Sequence, residues 1–126
     1  MKRLFYALVI LLFITAVCIF GSILICHYCE NSKEELSFCL ALCEEEDWKS
    51  AEALSIDAID NWKKREKFMA IFIDHKLLDN ITEAISTLPI YANLKSKSDF
   101  YASCSQITVI IDRIRDSQTF HIENFY

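Results

Sequence analysis

The arrangement of apolar and polar positions changes character once along this chain. From Leu4 to Cys26 there are 23 consecutive residues without a formal charge, and 15 of them are Leu, Ile, Val or Phe. Such a run is apolar all round, with no polar face. At 1.5 Å per residue it spans about 35 Å as a helix, against a hydrocarbon core of roughly 30 Å. The 15 large apolar residues contribute about −5 to −9 kcal/mol of insertion free energy. The pattern predicts a transmembrane helix over residues 4–26, with 1–3 before it and a helical domain over 27–126.

Beyond the run, apolar residues recur at helical rather than alternating spacing. Leu36, Cys39, Leu40 and Cys43 form one stripe behind the acidic Glu34-Glu35, read as a helix start. Trp48, Ala51, Leu54, Ala58, Ile59 and Trp62 form a second, with Asp47 as N-cap. A third runs from Met69 through Phe72, Ile73, Leu77, Ile81, Ala84, Ile85 and Leu88 to Tyr91 and Leu94, kinked by Pro89. Phe100, Cys104, Ile107, Ile111 and Ile114 make the fourth, behind Ser98-Asp99. Lys63 to Lys67 reads either as a turn or as the exposed middle of one long helix. Phe120 to Tyr126 reads as an aromatic tail folded back on the bundle. The fold class is therefore all-α: one N-terminal transmembrane helix followed by an antiparallel bundle of about four helices.

Composition sharpens the picture. The whole chain has one Gly and one Pro. That argues against a turn-rich β architecture and excludes the glycine loops of dinucleotide and P-loop sites. Trp48, Ala51 and Trp62 share a spacing with tetratricopeptide repeats, but the Leu-Gly signature of that repeat is missing.

Charge sets orientation. Lys2 and Arg3 precede the apolar run, whereas Glu30, Glu34, Glu35, Glu44, Glu45 and Glu46 follow it. The positive flank stays in the cytoplasm, which puts the C-terminal domain outside. A cleaved signal peptide is the competing reading, but the run is long for one and lacks a small-x-small site. Residues 30–126 hold 11 basic and 18 acidic side chains, a net of −7, which speaks against nucleic acid and against flat adsorption to anionic lipid.

Candidate chemistry is sparse. His75 and Asp79 stand four apart on one helical face, the spacing of a metal or proton site, but one His and one carboxylate do not complete a metal shell. A structural role for His75 is the favoured reading, and no metal, cofactor or catalytic set is expected. Cys104 has the option of a disulfide with Cys39 or Cys43 if the first and last outer helices are neighbours. Otherwise the three are core thiols, and Cys18 and Cys26 are small apolar residues of the span. Glu44-Glu45-Glu46-Asp47 lacks the spacing of a calcium loop and reads as a solvated helix end. Trp48 and Trp62 read as core. Asn80-Ile81-Thr82 is a glycosylation sequon only in a host that glycosylates.

Several of these residues also carry a family resemblance. Met-Lys-Arg and one span are followed by Asp47-Trp48-Lys49-x-Ala51 and Trp62. Then come Phe72-Ile73-Asp74-His75-x-x-x-Asp79-Asn80-Ile81 and, near the end, Glu123-Asn124-Phe125. This layout resembles the small single-span proteins of spore-forming Gram-positive bacteria grouped as domain of unknown function 4363. Pro89 and the six cysteines depart from that pattern. The resemblance implies a bacterial, membrane-anchored helical protein with no assigned catalytic residue. It also points to a membrane partner, through gene neighbours of another integral membrane family.

The expectation is a non-enzymatic accessory protein, contacting another integral membrane protein or a second copy of itself. The alternative is a ligand- or metal-sensing domain using His75 and Asp79.

Overall fold

The computed structural model describes the backbone of residues 1–124 and the side chains of residues 1–118. Five helices follow one another among these residues: α1 (Lys2–Glu44), α2 (Trp48–Met69), α3 (His75–Ser86), α4 (Leu88–Asn93) and α5 (Lys97–Asn124). No strand occurs among them. The longest helices pack antiparallel: α1 lies against both α2 and α5, while α3 and α4 close the remaining side.

α1 is one unbroken helix of 43 residues, about 64 Å long. The helix start read at Glu34-Glu35 is therefore absent, because no Gly, Pro or capping geometry interrupts the chain between residues 22 and 44. The acidic residues form the wet side of a helix whose dry side continues from the apolar run. That dry side is Gly21, Ile25, Cys29, Ser32, Leu36, Cys39 and Cys43, all buried at steps of three or four. From Leu4 to Phe20, by contrast, every residue is exposed apart from half-buried Thr15 and Ile19. The bundle thus takes hold of the apolar helix at Gly21, several residues before that run ends.

Gly21 owes its place to packing rather than to a turn. A Cβ built there would lie 2.8 Å from Cζ of Phe72, so the ring of the α2–α3 loop rests directly on the helix backbone. The two helix-ending turns that do need a left-handed residue use Glu46 (φ 60°) and Lys95 (φ 56°). In each, two amides cap the helix end: Asp47 and Glu46 bond back to Leu42 and Cys43, Ser96 and Lys95 to Tyr91 and Ala92.

α2 continues through Lys63–Lys67 as largely exposed helix and ends at Met69. The third stripe is consequently divided: Met69 belongs to α2, and the chain turns through Ala70–Ile73 before Asp74 caps α3 by accepting from the Lys76 amide at 3.2 Å. Pro89 sits in the first turn of α4, where its missing N–H costs nothing, and the kink expected there is the junction between α3 and α4. The tail expected to fold back is instead the end of α5 as far as Asn124; Phe125 and Tyr126 lie outside the described residues.

The core joins Ile25, Leu36 and Trp62 to Leu78, Ile81, Leu88, Phe100, Ile107, Ile111 and Ile114. α2 contributes small residues, Ala51, Ser55 and Ala58, which lets it approach the cysteine face of α1 closely. Ser55 donates to the Ala51 carbonyl at 2.7 Å, and its oxygen lies 4.0 Å from Cys39 Sγ. Among the described residues no buried side-chain polar atom lacks a partner.

Candidate functional site

His75 and Asp79 occupy the first turns of α3 and are both exposed. Nothing else of the right chemistry joins them: no group of three or more His, Cys, Asp or Glu among the described residues is placed to hold a metal ion. The glutamates of 44–46 are exposed, and Asp47 caps α2 by accepting from the Ser50 amide.

Both tryptophans are structural. Trp62 is 2% exposed and donates from Nε1 to Thr82 Oγ1 at 2.9 Å. Thr82 in turn donates to the Leu78 carbonyl at 3.0 Å. The sequon threonine is therefore engaged inside the bundle while Asn80 faces solvent. Trp48 meets Phe100 edge-on, with centroids 6.4 Å apart and planes at 78°.

Cys39, Cys43 and Cys104 are free thiols in the buried region between α1 and α5. Burial above all, then the neighbouring Cys39 and Cys43, pushes the Cys104 thiol up to about 12. Burial likewise raises Cys29 to about 12 and Cys39 to about 11, the latter partly offset by Ser55. Cys43 is raised by the same cause. The thiolate is the nucleophilic and metal-binding form, so burial favours the protonated, less reactive form of these cysteines near neutral pH.

The polar feature that sequence reasoning missed is a belt of ion pairs about two and a half to four turns above Gly21, where the bundle begins. Arg65 of α2 donates to Glu35 at 2.6 Å and to Ser32 at 3.0 Å. Asn61 reaches the same Glu35 carboxylate at 3.4 Å. On the other side of α1, Lys33 meets Asp112 of α5 at 2.7 Å, and Arg115 pairs with Glu30. Hydrogen bonding to Glu30, then its charge, raises the Arg115 guanidinium further. About two turns lower on α1, Ser22 donates to Gln118 Oε1 at 2.9 Å. Together these fix the register of α2 and α5 along α1. The sequence held one signal for the belt: Glu30, Lys33 and Glu35 within about a turn and a half of a helix otherwise committed to apolar contacts.

Two shallow clefts open at the far end. One of about 250 Å³ is lined by Glu52, Pro89, Ile90, Asn93 and Leu94. The other, of about 240 Å³, lies between α3, α4 and α5 and is mostly polar, with Asn80, Glu83, Thr87, Tyr91, Ser103 and Gln106. Neither holds a nucleophile paired with a base. Beside the first, Ile90 and Leu94 stand four apart, 58% and 68% exposed.

Compared with known proteins, the chain matches the family model described as Domain of unknown function (DUF4363) over residues 19–125. No curated protein and no solved structure matches it.

Proposed function

We propose, for a chain that belongs to the DUF4363 family, a non-enzymatic role at the membrane. The N-terminal part of α1 crosses the bilayer with its amino end in the cytoplasm, and the bundle stands outside as a docking platform. Its partner is another integral membrane protein or a second copy of the chain. α1 is the helix, among the described residues, long and apolar enough to cross a membrane. Its C-terminal half is also the first element of the bundle. Cleavage at the end of the apolar run would remove Gly21 and Ile25 from the packed interior, which supports an uncleaved anchor over a signal peptide. The family match beginning at residue 19 agrees with that.

The observation that carries the docking reading is the exposed Ile90–Leu94 pair beside its cleft. Paired exposed apolar residues at a short helix, flanked by Glu52 and Asn93, have the character of a contact surface. The experiment is purification of the full-length protein from its native host in mild detergent, alongside a variant carrying Ile90→Glu and Leu94→Glu. The expected result is one integral membrane partner, or a second copy, at stoichiometric level with wild type and absent with the variant. A monomeric wild type that brings nothing down would remove the proposal.

A further inference from the structure

The membrane reading leaves a length to be accounted for. Lys2 and Arg3 bound the apolar run on one side, so the hydrocarbon begins near Leu4. A core of about 30 Å takes roughly 20 helical residues, which places its outer boundary near residue 23. The part of α1 free of the bundle ends at Phe20. Those 17 residues reach only about 25 Å, so the base of the bundle and the outer hydrocarbon boundary overlap. Tilting the helix increases the overlap.

At that base lies the α2–α3 loop. The contact with Gly21 fixes Phe72 below the boundary level, and Ile71 beside it is 72% exposed. An aromatic series leads up from there: Phe72 to Phe68 at 5.5 Å, and Phe68 to Tyr28 at 5.8 Å. Phe20 and Ile23 of α1 face outward at the same height, 67% and 56% exposed. The polar pair at this level, Ser22 with Gln118, is satisfied internally. Exposed Lys67 and Lys76 flank the loop, with the exposed N-cap Asp74 at its end.

Charge follows the same division. Residues 27–33, 60–79 and 112–124, the half nearer the span, hold eight basic and eight acidic residues; residues 34–59 and 80–111 hold three basic and ten acidic. The whole net charge of −7 of residues 30–126 therefore sits on the far half, and the near half is neutral.

We propose that the α2–α3 loop is a lipid-inserting wedge, with Ile71 and Phe72 in the outer acyl-chain zone and Lys67 and Lys76 at the phosphates above them. The occupant of this surface is the outer leaflet itself. The bundle then rests on the membrane at a fixed height and orientation, with its acidic end and the Ile90–Leu94 pair turned outward. This inference rests on the membrane reading of α1.

The test uses full-length protein in phosphatidylcholine vesicles, as wild type, Ile71→Trp and Ile90→Trp. The native Trp48 and Trp62 emission is subtracted, and circular dichroism checks that each variant keeps its helix content. Lipid brominated near the top of its acyl chains should remove the larger part of the emission added by Ile71→Trp, and aqueous iodide should barely touch it. The indole introduced at position 90 should behave in the opposite way. An indole at position 71 that is open to iodide and unaffected by brominated lipid overturns the wedge. Flotation of the vesicles through alkaline carbonate separates the two readings. Protein that fails to float sinks the membrane anchor and the wedge with it, whereas floating protein with a water-exposed indole at position 71 sinks only the wedge.

Discussion

Trp62 shows how a single side chain sets a local structure. Its indole is buried between α2 and α3 with one polar atom, and that N–H is satisfied by Thr82. Replacing Thr82 with Val keeps the shape and strands the donor, which costs about 1–3 kcal/mol. Thr82→Ser keeps the hydroxyl and should lose less; denaturant unfolding of the two variants checks the order. The cysteines behave as a group. Because burial raises their folded values above the ordinary 9.0, the folded state keeps protons that the unfolded chain releases. Their contribution to stability is full below about pH 9 and is lost as pH rises towards 11 or 12, by up to about 1.4 kcal/mol per pH unit for each thiol. Cys104→Ala should therefore flatten the loss of stability between pH 9 and 11, whatever its effect at pH 7. At this scale the sequence was informative about Trp48 and Trp62, whose stripe position implies burial. It was uninformative about Thr82, because the partner of a buried indole depends on how two helices meet.

Helix ends are where pattern and structure part most visibly. A stripe reports which face of a helix is dry, and says little about where a helix stops. Glu34 and Glu35 resemble a start yet lie mid-helix in α1, since polar residues on the wet face do not interrupt backbone hydrogen bonding. The break after Met69 has no Gly or Pro to announce it. Its sign was Asp74 ahead of an apolar pair, a cap visible in the sequence but masked by the apolar Phe72-Ile73 before it. The Schellman turns at Glu46 and Lys95 were equally hidden, because glycine is the residue expected there. Both side chains sit in a region that disfavours a Cβ, by about 1 kcal/mol or somewhat more. Glu46→Gly and Lys95→Gly should each stabilise the bundle by about 0.5–1 kcal/mol net of the unfolded-state entropy of glycine, read as a higher denaturation midpoint with unchanged slope. Destabilisation by either would mean that the side chain contributes a contact beyond its backbone strain.

The whole molecule is organised along α1. Its first part is exposed apolar helix, its second part is the spine of a bundle, and no joint separates the two. The domain boundary read at residue 27 marks the end of the uncharged run, whereas packing begins at Gly21. The two differ because an all-round apolar helix conceals which of its faces is packed against protein. The all-helical class and the antiparallel bundle were legible from the stripes; the ion-pair belt and the neutral near end needed the register between helices. On the proposed membrane reading, rigid continuity has a consequence for function: it would hold the far end at a set distance from the bilayer rather than on a tether. Amide hydrogen exchange of the full-length protein in phosphatidylcholine nanodiscs tests this most directly. The expected result is one uninterrupted block of protection along α1, supplied by lipid over residues 4–20 and by the bundle from Gly21 to Leu42. A fast-exchanging gap between residues 26 and 34 would reveal a hinge, and fast exchange over residues 4–20 would mean that the apolar helix is not in the bilayer; either would contradict a continuous membrane-crossing spine.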